Sequence, residues 1–342
     1  AGKRRKPSVL WLRPALRELE PVTDELRAQL AAHWAQAQAR GRSRQEATAT
    51  AYVFSFEANG LSSLSGTTRT LPVGKTKEVV MAVASCALYP NGYFNAYGAI
   101  AALDKVDVVI HLGDYIYEYG GPLTYGMDSA VAAKRPHVPY RDTVSLEDYR
   151  LRHAQYKSDP QLQAAHARAA WIVVWDDHET ANNSYANGAE NHHSAFQGSW
   201  LDRKVAAVRA YYEWMPIREP VGGGPAINRT FQFGDLASLI MLETRLTGRT
   251  MQLDYATDLN GPDGKPDAAG LKAKLADPRR RMMAPDQEAW LADQLKTSIQ
   301  SGQTWQVLGN EVIMAKVTIP DFEKVLGPER YAEVRDAAGE AG

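Results

Sequence analysis

The amino-acid sequence predicts an α/β fold with a layered core of sheets flanked by helices. Three short runs, 78–86, 106–114 and 171–177, are continuously apolar and rich in Val and Ile, which is typical of strands buried on both faces. Segments with apolar residues at helical spacing lie between and after these runs. Because strands and helices alternate along the chain, we predict sheets with helices packed on their faces.

Four segments carry helix signals. Asp24 precedes a run with helical spacing, and Ser145 is followed three residues later by Asp148, a pattern typical of helix starts. We therefore predict helices over 24–39, 145–157, 201–214 and 284–299, with Val205, Val208 and Tyr212 on one face of the third and Trp290, Leu291 and Leu295 facing inward on the fourth.

The other segments predict strands, turns and loops. Tyr52, Phe54 and Phe56 alternate with other residues, which is typical of an exposed edge strand. The remaining predictions are a polar linker over 40–50, a loop over 65–74 with Pro72 and Gly74 as breakers, a hairpin over 229–242 that turns at Gly234 and Asp235, and a late strand over 304–315.

Composition excludes several classes of protein. The chain has 342 residues, of which 44% are hydrophobic, so it can bury a substantial core. Lys and Arg total 39 against 40 Asp and Glu, and this balance argues against a nucleic-acid-binding module or a membrane-surface role. No stretch approaches the ~18 apolar residues of a transmembrane helix. The single cysteine, Cys86, excludes an internal disulfide and a multi-cysteine zinc site.

The two ends of the sequence carry no clear targeting signal. The opening "AGKRRKPSVL" is basic but lacks the apolar region of a secretory signal peptide, and it begins with Ala1 rather than Met. The closing "RDAAGEAG" is small and polar, as in a chain cut within a loop. The sequence therefore favours a chain altered or shortened at its ends.

Potential ligands follow each of the three apolar runs. The first run ends at Cys86, the second at Asp114, and the third runs into the "DDHE" stretch at 176–179. Because the carboxyl ends of strands in open α/β sheets meet at one crevice, these residues are expected to lie close together. Each also has a simpler explanation: Cys86 as a buried apolar residue, Asp114 as a turn residue or helix cap, Tyr117 as a packed aromatic, and "DDHE" as an acidic helix start.

Together these residue types favour a metal site. Two adjacent carboxylates after "WIVVW" repel each other unless a cation or hydrogen bonds compensate them. Carboxylate, phenolate, thiolate and imidazole together suit a trivalent or transition metal better than magnesium alone. Asp114 could bridge two metals, Tyr117 could bind the harder one, and His178 could protonate a leaving group. Two metals ~3.5–4 Å apart are a common device for phosphate-ester hydrolysis.

These motifs resemble a known family. The segments "ASC" at 84–86, "HLGDYIYEYG" at 111–120 and "WDDHETANN" at 175–183 are similar to those of the PhoD-like alkaline phosphatases, which are calcineurin-like metallophosphoesterases. The resemblance covers about residues 50–342, and several flanking segments share it, among them "GTTRTLP", "NGYFNAYGAIA", "LIMLETRLTGR" and "TWQVLGNEVIMA".

The resemblance implies a fold, an activity and cofactors. The fold is a four-layer metallophosphoesterase core preceded by a small β-rich domain. In this chain, residues 1–74 would be an N-terminal segment with a remnant of the β-rich domain, and residues 75–342 would be an incomplete catalytic domain. The activity is hydrolysis of small-molecule phosphate monoesters and diesters by a metal-activated hydroxide. The cofactors are iron and calcium, or other divalent metals. A periplasmic or secreted location also follows from the resemblance, and the oligomeric state is left open.

The resemblance also assigns roles to particular residues. Asp114 would bridge the metals, and Tyr117 and Cys86 would bind iron. Asp177 would bind the second metal, and His178 would face the substrate as proton donor or phosphate ligand. Three more residues would assist at the site, Asn183 and Asn182 as contacts to metal or phosphate and Arg245 as support for the acidic groups.

Two departures from the family pattern support an alternative. The family closes its site with a "GD-x-H" strand after a "WDGYP"-like segment, and neither occurs after "LGNEVIMA". Residues 1–50 also carry a helix and a linker instead of the β-rich domain. The alternative is therefore a catalytically silent fragment or remnant that lacks the final metal ligands. A third hypothesis, a hydrolase with Cys86 as nucleophile, is less favoured because the metal site already explains the cysteine.

Overall fold

The computed structural model describes residues 49–58, 61–63, 65–121, 124–127, 129–220, 223–261, 264, 267–314 and 322–332. The predicted helix over 24–39 and nearly all of the predicted linker over 40–50 lie outside these residues. The chain divides into two compact units, and the boundary in the sequence lies after Glu311. The boundary predicted at residue 74 stays a prediction.

Strands and helices alternate through the first unit. The strands are β1 (Ala51–Phe54), β2 (Glu57–Ala58), β3 (Leu61–Ser62), β4 (Gly66–Arg69), β5 (Met81–Ala84), β6 (Val108–His111), β7 (Ala170–Val173), β8 (Arg229–Phe233), β9 (Ala237–Met241) and β10 (Trp305–Gly309). The helices are α1 (Asn95–Ala101), α2 (Leu146–Lys157), α3 (Pro160–Arg168), α4 (Ser194–Gln197), α5 (Trp200–Trp214), α6 (Tyr255–Asp258), α7 (Ala268–Leu275) and α8 (Pro285–Gln300). A short 3₁₀ helix spans Tyr89–Asn91, and the second unit contains α9 (Phe322–Leu326). The predicted α/β class is confirmed.

The three apolar runs form one parallel sheet in the order β5-β6-β7. Val109 of β6 pairs with Ala82 of β5 and with Trp171 of β7, so the three carboxyl ends lie at the same edge. The central β6 is buried along its length, as predicted. The prediction that the first run is buried on both faces is wrong, because β5 is an edge strand and its Val83 is 60% exposed.

A second sheet has the order β10-β9-β8. The predicted hairpin is confirmed, since β8 and β9 pair antiparallel, and the late strand β10 adds parallel to β9 over five residues. Side chains from both sheets belong to one buried apolar cluster, which includes Val109, Val173, Leu239 and Met241. The burial of this shared core fixes the positions of the loops that follow the strands.

The predicted start of α2 is confirmed, whereas one of the apolar residues named on α5 is exposed. Ser145 accepts a hydrogen bond from the Asp148 amide and completes a capping box at the start of α2. On α5 the inward residues include Ala207 and Tyr211, whereas the predicted Val205 is 57% exposed. Val208 and Tyr212 pack against the core, so two of the three residues at helical spacing lie on the buried side, together with small residues.

Two further predictions need correction. The segment 65–74 was expected to be a loop, but its residues Gly66–Arg69 form β4, which pairs antiparallel with β1. The β-branched residues Thr67 and Thr68 favour extended backbone, and pairing with β1 satisfies their peptide groups. On α8 the predicted inward residues Trp290, Leu291 and Leu295 are only half-buried. Within the part of the chain that is described, no helix has both the length and the apolar character that a membrane span requires.

Candidate active site

The loops after β5 and β6 are joined by backbone hydrogen bonds. The Cys86 amide donates to the Gly113 carbonyl at 3.2 Å, and the Ala87 amide donates to the Asp114 carbonyl at 3.2 Å. Cys86 and Asp114 have left-handed backbone, with φ of 57° and 54°. Such conformations are uncommon outside glycine and concentrate at functional positions. The chain therefore turns sharply at both predicted ligands, directly beyond the strand ends.

Glu179 joins the loop after β6 to the loop after β7. Its buried carboxylate accepts hydrogen bonds from the amides of Asp114 at 3.0 Å, Tyr115 at 2.6 Å and Asp176 at 2.9 Å. Burial and the charge of Asp114 raise the pKa of Glu179 well above its usual range, and the three amide donors oppose them. The last residue of the "DDHE" stretch thus holds the two loops together and does not face the site as a ligand.

Gly113 lies directly against the main chain of the loop after β7. Its φ is +96°, and a β-carbon added there would lie 2.2 Å from the Asp176 amide nitrogen. We expect Gly113→Ala to lower the free energy of unfolding by about 2–4 kcal/mol, because it combines backbone strain with a clash against main chain. Gly74→Ala is the matched control, since Gly74 has φ +74° but no atom near its added β-carbon. Urea unfolding of the two variants tests this, and equal losses would contradict it.

Asp114 lies at the centre of the predicted ligands. Its Oδ2 accepts a hydrogen bond from the Tyr117 hydroxyl at 3.1 Å, and its Oδ1 accepts one from the His178 amide at 3.3 Å. The Cys86 thiol is close enough to this carboxyl group for Asp114 to raise its pKa. Burial and the negative charge of Asp177 raise the pKa of Asp114, although His178 opposes them. One carboxylate therefore connects the predicted ligands from all three loops.

Asp177 and His178 complete a compact group with Asp114. One ligand atom from each of the three lies within 4.8 Å of the others, an arrangement that could hold a metal ion. The Asn183 amide donates to Asp177 Oδ2 at 2.6 Å, and Asn183 has left-handed backbone with φ 52°. The side-chain amides of Asn182 and Asn183 both donate to Glu190, at 3.2 and 2.5 Å.

Arg245 forms ion pairs with both adjacent carboxylates, Asp176 and Asp177. Its Nε lies 2.5 Å from Asp176 Oδ1, and its Nη2 lies 3.1 Å from Asp177 Oδ1. Burial raises the pKa of Asp176 to about 7, with Arg245 lowering it and Asp177 raising it. The guanidinium thus compensates the charge of Asp176. Asp177 uses Oδ1 for its ion pair with Arg245 and Oδ2 for the hydrogen bond with the Asn183 amide.

His178 is held by a buried carboxylate. Its Nδ1 lies 2.7 Å from Glu118 Oε2, and Glu118 is fully buried. Glu118 also accepts hydrogen bonds from the Asn182 amide and the Asn191 side chain, both at 2.6 Å. Burial disfavours the charged imidazole, but Glu118, Asp177 and Asp114 outweigh it and raise the pKa of His178 to about 10.

Comparison with known proteins decides the family. The family model of the PhoD-like phosphatases matches residues 81–337. The chain belongs to the PhoD-like phosphatase family. The resemblance stated from the motifs is thereby confirmed.

Two relatives of this PhoD-like chain are much longer than the chain. Alkaline phosphatase D of Bacillus subtilis is 39% identical over 269 residues, which are 77% of this chain and 42% of that protein. A solved structure of PhoD is 36% identical with a TM-score of 0.65, covering 78% of this chain and 48% of that one. The chain therefore spans about half the length of the relatives it matches. A purple acid phosphatase from yellow lupin covers 60% of this chain and 32% of its own, but at 13% identity and a TM-score of 0.35 it is too distant to carry an argument.

The donor set of this PhoD-like site suits a metal. Partial burial and Asp114 raise the pKa of the Cys86 thiol to about 11. Burial and Asp114 also raise the pKa of Tyr117 far above its usual range. Both groups hold their protons beside the Asp114 carboxyl group, and a cation of high charge is what allows a thiolate and a phenolate to persist at neutral pH. The residues therefore fit a strongly Lewis-acidic ion.

Two residues important to the PhoD-like site were not identified from the sequence. Glu118 holds His178, and Glu190 accepts from Asn182 and Asn183. Glu118 is the only acidic residue within the aromatic run "YIYEYG", and an acidic residue in so apolar a run is a signal for a buried, paired carboxylate. Glu190 lies among polar neighbours, so no comparable signal marks it. Glu179 belongs to the "DDHE" stretch that the sequence singled out, but its role in joining two loops was not predicted.

Proposed function

We propose that this chain carries the metal site of a phosphoric ester hydrolase of the alkaline phosphatase type. The observation that supports this most is the position of Asp114. Its carboxyl group accepts a hydrogen bond from the Tyr117 hydroxyl and interacts with the Cys86 thiol. Ligand atoms of Asp114, Asp177 and His178 also lie within 4.8 Å of one another. Membership of the PhoD-like family supports the same reaction. We further propose small-molecule phosphate esters as substrates and a periplasmic or secreted location.

The residues divide into two proposed metal positions. Cys86 and Tyr117 would hold iron, Asp177 would hold calcium or another divalent ion, and Asp114 would bridge the two. Asn183 and Asn182 would assist at the second metal or bind the phosphate, with their amide orientation fixed by Glu190. When bound, the metals would activate water for attack on phosphorus and neutralise charge that develops on the phosphate oxygens.

His178 is the proposed proton donor to the departing alcohol. Glu118 binds Nδ1, so the other ring nitrogen, Nε2, faces the side of Asp177, whose Oδ2 lies 4.0 Å away. Stacking on the Tyr117 ring at 4.3 Å holds the imidazole plane. A proton kept at Nε2 is therefore oriented toward the bound ester, and Arg245 keeps the surrounding acidic groups in place.

Metal loading and turnover test this proposal together. The chain is purified, loaded with iron and calcium, analysed for bound metal, and assayed with p-nitrophenyl phosphate. Stoichiometric metal with metal-dependent turnover is the expected result. Stoichiometric metal without turnover of aryl monoesters or diesters would overturn the proposal. Failure to bind metal at all would favour the alternative, a catalytically silent fragment.

The pairing of Glu118 with His178 gives a prediction about leaving groups. We expect Glu118→Gln to lower turnover of an alkyl phosphate by about 10²-fold, because general-acid assistance is typically worth that much. Turnover of 2,4-dinitrophenyl phosphate should change less than about threefold, since its leaving group needs no proton. Steady-state rates on both esters check this, with Asp148→Asn, a buried carboxylate in a helix cap, as control. Equal losses on both esters would contradict the role of Glu118.

A further inference from the structure

An exposed aromatic surface leads outward from the candidate site. The ring of Tyr119 lies 5.1 Å from the His178 ring, and the ring of Tyr125 lies 6.0 Å from Tyr119. Tyr119 is half-buried, whereas Tyr125 is 68% exposed. The three rings thus form a continuous series from the proposed proton donor to solvent.

Hydrogen bonds from buried side chains hold the backbone at Tyr119 in place. Its carbonyl accepts hydrogen bonds from Arg152 Nη1 at 2.8 Å and from His137 Nδ1 at 2.5 Å, and both donors belong to buried side chains. The next residue, Gly120, lies so close to the Arg141 main chain that an added β-carbon would meet its carbonyl oxygen at 2.1 Å. The Tyr119 ring is therefore part of a preformed surface, which binds a ligand at a low cost in conformational entropy.

Tyr125 is presented by a tight turn. The Met127 amide donates to the Thr124 carbonyl at 3.1 Å, and the Thr124 hydroxyl donates to the Gly121 carbonyl at 3.0 Å. Gly126 has φ +77° and lies against Leu88, so the turn packs on the protein next to Tyr125. An exposed aromatic ring held in this way is typical of a contact surface for a ligand.

We propose that Tyr119 and Tyr125 form the subsite for the leaving group, and that the preferred substrates are phosphate esters carrying a flat aromatic ring, as in an aryl or nucleoside ester. This inference rests on the proposed function, because His178 marks the side on which the leaving group departs. A flat ring in that position would stack on the two tyrosines, whereas a small alkyl group would not reach them.

The test compares Tyr125→Ala and Tyr125→Phe with the unchanged metal-loaded chain. Phosphate release is measured from 1-naphthyl phosphate and from glycerol phosphate, and calorimetry measures binding of phenylphosphonate and methylphosphonate. We expect Tyr125→Ala to raise KM for the naphthyl ester and Kd for phenylphosphonate about tenfold, with changes below about twofold for the two aliphatic compounds. Tyr125→Phe should retain the unchanged values because it keeps the ring. Tyr52→Ala, which removes another exposed tyrosine (40% exposed on β1), is the matched control.

Binding of the two phosphonates, which needs no turnover, separates this inference from the proposed function. Absence of turnover with a retained preference for phenylphosphonate would overturn the function and support the subsite. Normal turnover with equal effects of Tyr125→Ala on aromatic and aliphatic compounds would overturn the subsite and leave the function standing. An equal effect of Tyr52→Ala would also overturn the subsite, since the loss would then be unspecific.

Discussion

Asp114→Asn is expected to lower turnover of p-nitrophenyl phosphate by about a thousandfold or more and to remove bound iron. The Asp114 carboxyl group contacts Cys86 and Tyr117, and it lies in the compact group with Asp177 and His178. Loss of its negative charge removes the proposed bridge between the metals, and a thousandfold change corresponds to about 4 kcal/mol of transition-state stabilisation.

The substitution to Asn isolates this electrostatic effect. Asn has nearly the same shape as Asp and tolerates the left-handed backbone at this position, φ 54°. Metal analysis by plasma emission and steady-state kinetics check the prediction, with Asp148→Asn as the control for removing a buried carboxylate. Retention of both iron and more than a tenth of the activity would contradict the bridging role.

Acidification below pH 6.5 is expected to cost the metal-free chain stability at its buried neutral histidines. Burial, with nearby Lys157, lowers the pKa of His111 to about 3. Burial, with Arg152, lowers the pKa of His137 to about 2, and burial places the pKa of His153 well below its usual range. The unfolded chain titrates near 6.5, so below that pH it binds more protons than the folded chain and stability falls.

Each neutral buried histidine costs about 1.4 kcal/mol per pH unit below 6.5, or about 4 kcal/mol per unit for the three. The buried carboxyl groups of Asp176, Asp114 and Glu179 oppose this loss, because their raised pKa values let the folded chain bind their protons first. Urea unfolding at pH 7.5, 6.0 and 5.0 measures the slope of stability against pH. His153→Phe should make the loss on acidification smaller by about 1.4 kcal/mol per pH unit, because it removes one buried group that only the unfolded chain protonates in this range. The exposed His193→Phe is the control, and a slope unaffected by His153→Phe would contradict the assignment.

The sequence indicated which candidate ligands would lie together, but it did not indicate all of the residues that hold them. Cys86, Asp114 and the "DDHE" stretch could be found because each follows an apolar run, and parallel strands bring such positions together. The structure places Cys86 near Asp114 and Asp177 near His178, and their proposed roles as ligands stay predictions.

The supporting contacts depend on packing between distant segments. Glu118 reaches His178 across 60 residues of sequence, and Arg245 reaches Asp176 across 69. No local spacing specifies such pairs. The sequence therefore missed Glu118, and it found Arg245 only through the family resemblance.

The left-handed residues Cys86, Asp114 and Asn183 each belong to a different loop of the site. Glycine would relieve the backbone strain at any of them and remove the side chain that the proposed chemistry needs. Selection for stability and selection for activity therefore oppose each other at these three positions. A search for more stable variants should enrich glycine there, and the proteins it yields would be robust but unable to bind metal.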